Sequence, residues 1–135
     1  DESDLSYLVE MYRQLRIDEQ QPDERTDAEI CQQFHAFMNT DAYQCFFWAN
    51  GQDELLGYML FKESEQGVFL KHLFVLPAYR RQGHARNFLT HFIDGAWFGK
   101  PISLEVLAVN RAAIAFYQSL SFLLHSHLYT RPVQN

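Results

Sequence analysis

Residues 67–98, GVFLKHLFVLPAYRRQGHARNFLTHFIDGAWF, restrict the possible folds more than any other part of the chain. The run 67–76 is apolar and rich in Leu, Val and Phe, and it stops at Pro77. That is how a strand reads and how one is closed. From Gly83 the pattern turns amphipathic, which predicts a helix over about 83–98. A second apolar run, ISLEVLAV at 102–109, reads as another strand. Strand, helix and strand in this order predict a parallel, right-handed β-α-β unit.

The flanking sequence extends this unit. Leu5, Leu8, Val9, Tyr12 and Leu15 recur at helical spacing behind a capping residue, Ser3 or Asp4, predicting a helix near 4–17. Thr26 and Glu29 form a capping box in front of a second helix with Ile30, Phe34, Phe37 and Met38 on one face. Asn50-Gly51 suits a turn between two apolar strands, and so predicts an antiparallel hairpin. Asn110 opens a short helix, and FLLHSHLYTRPV at 122–133 reads as a final strand. The predicted order is α, α, β, β, β, α, β, α, β. The expected fold is a mixed α/β domain, a mostly antiparallel twisted sheet with helices on both faces around the central β-α-β unit. No boundary divides residues 1–135.

A chain of 135 residues, 47% hydrophobic, has enough apolar material for one core. No apolar run is long enough to span a membrane, and no signal-peptide pattern opens the chain. Cys31 and Cys45 lack metal or redox spacing and read as reduced, packed thiols. These features predict a cytoplasmic protein. The net charge of -6 argues against nucleic acid as a partner. His125 and His127 share one face of the expected last strand, but no third ligand accompanies them, so no metal is expected.

The loop YRRQGH sits where a strand hands over to a helix. A helix start carries unsatisfied N–H groups and partial positive charge, which makes it a natural anion site. Gly83 allows close backbone approach, Ala85 keeps the next turn small, and Arg80, Arg81 and Arg86 add charge. A phosphate or pyrophosphate pocket and a solvated basic turn both fit this stretch. Neither the Gly-Lys-Ser/Thr phosphate loop nor the three-glycine dinucleotide fingerprint is present.

Arg80-Arg81-Gln82-Gly83-His84-Ala85 resembles the Gln/Arg-x-x-Gly-x-Gly/Ala signature of the GNAT acetyltransferase superfamily. LFVLPAYRRQGHA is similar to that family's strand, Pro and cradle, and VNRAAIAFYQSLSF to its Asn, helix, Phe-Tyr and terminal Phe. The resemblance covers roughly residues 55 to 130. It implies acetyl-CoA as cosubstrate, with the pyrophosphate on backbone N–H groups of Arg81, Gln82, Gly83, His84, Ala85 and Arg86. The pantetheine arm would run along Leu73, Phe74 and Val75, beside a strand splayed away by a bulge, and Asn110 would contact the arm. Tyr117 would be the acid that assists the departing thiolate. Ser121 departs from the family's usual Gly, at a helix end where a left-handed residue is expected.

Acetylating a lysine-like amine at pH 7 means first neutralising it, at about 4–5 kcal/mol. The family's strand carboxylate is replaced here by Lys71 and His72. The candidates for removing the proton are His72, which also reads as a partly buried strand histidine, Glu105 on the neighbouring strand, and a water chain, and a bulge would decide which side chain faces the cleft. The expected function is direct transfer of acetyl from acetyl-CoA to a primary amine on a small cationic molecule. The loop with Asp18, Glu19, Asp23 and Glu24 lies in a region that in the family often borders the acceptor site, and it reads equally as a cation-recognition loop and as a plain solvated one. The alternatives are a protein N-acetyltransferase and a CoA-binding sensor without turnover. The resemblance implies a homodimer, since the final strand and the helix before it often mediate dimers in that family, and FLLHSHLYTRPV is aromatic and near an edge.

Overall fold

The computed structural model describes residues 2–133. Residues up to Glu105 make one compact unit and those from Val106 a second. The first opens with two helices, α1 (Glu2–Asp18) and α2 (Asp27–Asn39). Strands β1 (Gln44–Ala49), β2 (Leu55–Ser64) and β3 (Gly67–Val75) follow, then α3 (His84–Asp94) and β4 (Ile102–Leu104). The second unit contains α4 (Arg111–Ser119).

The sheet order is β1-β2-β3-β4, with β1–β2 and β2–β3 antiparallel and β3–β4 parallel. This is the mixed sheet that the sequence predicts, with β3–α3–β4 as its parallel unit. Central β2 is buried from Leu56 to Phe61, as a strand covered on both faces must be. Tyr58 and Leu60 pack with Leu8, Val9, Tyr12, Ile30 and Phe34 of α1 and α2. Phe61 meets Phe92 of α3 and Trp97 on the other side. Helices therefore cover both faces.

Local chemistry accounts for the element ends. Thr26 Oγ1 accepts from Glu29 N at 3.2 Å and Glu29 Oε1 accepts from Thr26 N at 3.1 Å, so the capping box forms as read. Gly57 lets β2 pass close to β3, because a Cβ there would lie 1.9 Å from the Phe74 carbonyl oxygen. Cys31 and Cys45 are free thiols against the α1–α2 core, and burial pushes the Cys45 thiol up to about 12.

Several boundaries differ from the sequence expectation. The first helix begins at Glu2, so Ser3 and Asp4 stand inside it. The third ends at Asp94, capped by Gly95, because Trp97 N and Gly95 N turn back to the Phe92 carbonyl and fold Trp97 into the core. The strand expected at 102–109 keeps only Ile102–Leu104. The final strand expected at 122–133 is absent, that stretch having no regular structure. Strand propensity shows a preference for extended backbone; only a hydrogen-bonding neighbour turns it into a strand.

Candidate active site

The β3–β4 ladder joins Val68, Leu70 and the residue between them to Ile102–Leu104 and stops there. It stops at a bulge: Leu60 faces His72 and Phe61 faces Leu70, so Lys71 is an extra residue on β3. Beyond it, His72, Leu73, Phe74 and Val75 stay paired with β2 but have no ladder to β4. The strand thus has no β4 partner for four residues, over which the Val75 carbonyl is taken by a side chain, Arg80. Buried or sheltered backbone groups need a partner.

The chain then makes a 3₁₀ turn at Pro77–Tyr79 and enters the cradle. Arg81 and Gly83 both have positive φ, 62° and 81°. Left-handed residues on either side of Gln82, just ahead of a helix start, are a backbone setting that favours anion binding. Gly83 is the N-cap of α3 with no side-chain cap. Among the described residues, the N–H groups of Arg81, Gln82, Gly83, His84 and Ala85 find no acceptor. Arg86 lies in the first turn of the same helix.

The arginines divide their work. Arg80 turns inward: its Nε donates to the Val75 carbonyl at 2.8 Å, it pairs with Asp18, and its guanidinium lies 5.3 Å from the Phe74 ring centroid. Its charge therefore fastens α1 to the end of β3. Arg81 is exposed and makes no side-chain bond among the described residues.

The bulge also fixes the direction of His72. Lys71 and His72 both face the α1–α2 side, with the Lys71 ammonium 5.1 Å from the Phe37 ring centroid and 5.7 Å from that of Tyr43. The His72 ring lies among Tyr12, Phe34 and Tyr58 at 5.6, 6.0 and 5.8 Å. Its Nδ1 shares a 3.1 Å hydrogen bond with Tyr58 Oη. Burial, with Lys71 and Arg16 nearby, pushes the imidazole down to about 3, so it is neutral at pH 7. Burial holds the Tyr58 phenol well above its ordinary value, so it keeps its proton. Glu105, directly after β4, is exposed.

A second feature adjoins His72. Tyr12, Arg16, Pro22, Asp23, Glu24, Arg25 and Gln33 line an open recess of about 490 Å³. The loop between α1 and α2 is braced by its own charges. Arg25 makes paired hydrogen bonds to the Asp23 carboxylate, to which Tyr12 Oη also donates at 2.7 Å. Arg13 pairs with Asp27 and donates to the carbonyls of Asp23 and Arg25. The Arg25 guanidinium holds the Asp23 carboxyl far below its usual range, so it stays ionised. Sequence reasoning picked out the acids of this loop and missed its arginines. Charge counts are legible in a sequence, but the pairing of Arg80 with Asp18 is tertiary, and that of Arg25 with Asp23, two residues apart, depends on the conformation of the loop.

In the second unit, Asn110 Oδ1 accepts from Ala113 N at 3.1 Å, which makes it the helix N-cap. Tyr117 packs against Phe116 and Phe122 at 5.1 and 5.5 Å. Among the described residues, no group of three His, Cys, Asp or Glu is placed to hold a metal ion. Among the described residues, no helix is long and apolar enough to cross a membrane.

The model of the acetyltransferase (GNAT) family matches residues 8–122. A mutant of the spermidine N-acetyltransferase SpeG from Vibrio cholerae superposes with a TM-score of 0.73 at 19% identity, over 95% of this chain and 78% of that one. SpeG in complex with manganese ions superposes at 0.69 and 18%, over 100% and 81%. A mutant of the BH1408 protein from Bacillus halodurans gives 0.69 and 18%, over 95% and 88%. At such identities the likeness is one of fold. No curated protein matches the chain.

Proposed function

The chain belongs to the GNAT acetyltransferase family, and on that premise we propose that it uses acetyl-CoA to acetylate a primary amine of a small molecule. The observation that carries this reading is the end of the β3–β4 ladder at Leu70 and Leu104, followed by an uncapped cradle. The edge of Leu73, Phe74 and Val75, without a ladder to β4, suits the peptide-like pantetheine arm. The N–H groups of Arg81 through Arg86, with the Arg81 side chain, suit the pyrophosphate, since a helix start with left-handed residues before it favours anions. Arg80 supports the cradle from behind.

Attack on the thioester is direct, in a ternary complex, with a strand N–H near Phe74 stabilising the oxyanion. His72, with a pKa near 3, holds no proton at neutral pH and is a feeble base. We assign proton removal to Glu105, whose exposed carboxylate has no ion pair among the described residues. From the resemblance of VNRAAIAFYQSLSF to the family's pattern, Asn110 is assigned the contact to the CoA arm and Tyr117 the role of the acid. The test is release of free CoA thiol from acetyl-CoA with a panel of amines. Turnover should be measurable, and it should fall roughly 10- to 1,000-fold in Tyr117→Phe, the range of general-acid assistance. Release that is no faster with any amine than without one would contradict the transferase reading.

A further inference from the structure

On the transferase reading the acceptor amine is taken to approach from the side of the sheet on which His72 lies, and the recess between α1 and α2 adjoins that side. Tyr12 lines that recess and also touches the His72 ring at 5.6 Å. Four acids in the neighbouring loop suggest a cation site when read as sequence. Their pairing in the structure says otherwise. Asp18 is bonded to Arg80, and Asp23 to Arg25 and Tyr12. Burial raises the Glu19 carboxyl, and only Glu24 lines the recess as an unpaired acid, exposed. A polyamine would have to take carboxylates that two arginines already hold.

The arginines, by contrast, have donors to spare. Arg16 uses Nε on the Gln21 carbonyl at 2.8 Å and one terminal nitrogen, weakly, on Gln21 Oε1 at 3.5 Å. Its other terminal nitrogen has no acceptor among the described residues. Arg25 likewise leaves one terminal nitrogen unused while it holds Asp23 and Gln33. Both guanidinium groups line the recess. At its inner end the charges of Arg16 and Lys71 both act on His72, while the Glu19 carboxyl acts on Arg16 and on Tyr58, the hydrogen-bond partner of His72. Two cations stand against that one acid, which favours an anion there over a free ammonium.

Given the transferase reading, we propose that this recess takes an acceptor that carries an anionic group beside its amine, a carboxylate being the simplest, and that Arg16 binds the anion. Guanidinium is suited to this because its planar fork meets a carboxylate with two parallel bonds. The same arrangement discriminates against polyamines by charge.

The experiment compares kcat/KM for free amino acids, for the carboxamide of the best of them, and for spermidine. The acid should exceed its own amide by roughly 10- to 100-fold, the usual worth of a hydrogen-bonded charge. Arg16→Gln should bring that ratio close to one through the KM of the acid, and Arg16→Lys should keep part of it. Unchanged thermal midpoints show that both variants are folded. A preference for spermidine, or for the amide over the acid, overturns the proposal and leaves the transferase intact. So does an unchanged ratio in folded Arg16→Gln. Absence of both acetyl-CoA binding and turnover would overturn the transferase reading, and this proposal with it.

Discussion

His72 shows how one residue's role depends on its surroundings. On a regular strand it would alternate with Lys71; the bulge turns both toward α1 and α2. Its folded pKa, about 3, lies below the ordinary 6.5. The unfolded chain therefore binds a proton that the folded chain refuses. The corresponding stability is fully present above pH 6.5 and is lost as pH falls from there toward 3. While unfolding takes up that proton, the slope is about 1.4 kcal/mol per pH unit. Denaturant melts between pH 7 and 4 should show this slope in the wild type. Glutamine at this position still offers Tyr58 a partner, so His72→Gln should flatten that part of the profile. An equally steep profile in the variant would show that other groups cause it.

Among the elements, those defined by local rules were legible and those defined by a distant neighbour were not. The capping box of α2, the Asn110 cap of α4 and the strand closed by Pro77 each depend on residues within a few positions, and each forms as read. The length of β4 and the state of residues 122–133 depend on pairing, which no short pattern encodes. The end of α4 is an instructive middle case. Phe122 N donates to the Tyr117 carbonyl at 3.1 Å and Ser121 N to that of Gln118 at 3.0 Å, a Schellman motif with Tyr117 and Phe122 in ring contact. The motif places Ser121 at φ 71°, the left-handed conformation expected from the sequence. A side chain there is strained, so Ser121→Gly should stabilise the protein by about 1 kcal/mol. A thermal or denaturant melt checks this, and loss of stability would mean that the Ser121 side chain makes a contribution larger than the strain.

For the whole molecule, the proposed cofactor side is written in one local stretch and the proposed acceptor side is not. Pro77, Gly83 and the arginines lie within a few residues of one another, so strand end, turn and helix start are written in one local stretch. The recess proposed for the acceptor is assembled from the end of α1, the following loop and α2, and its charge is what remains after Arg25 and Asp23 neutralise each other. That remainder exists only in the folded chain. The expected parallel unit and the splayed strand meet at Lys71, where one extra residue both ends the ladder and turns His72 inward.

The central claim is that acetyl-CoA lies along Leu73–Val75 with its pyrophosphate on the cradle, and calorimetric titration with acetyl-CoA tests it most directly. Gly83→Asp is the informative variant, because the nearest atom to a Cβ there is Asn87 Nδ2 at 3.9 Å. A side chain at that position meets no crowded protein atom, and aspartate tolerates a left-handed backbone better than most residues. Its effect thus falls on the ligand, as bulk and negative charge beside the pyrophosphate. Wild-type protein should bind acetyl-CoA, and the folded variant should bind it on the order of 100-fold more weakly, as expected for like charges at close range near a protein surface. Equal affinity in the two proteins, or no binding to the wild type, would contradict the account.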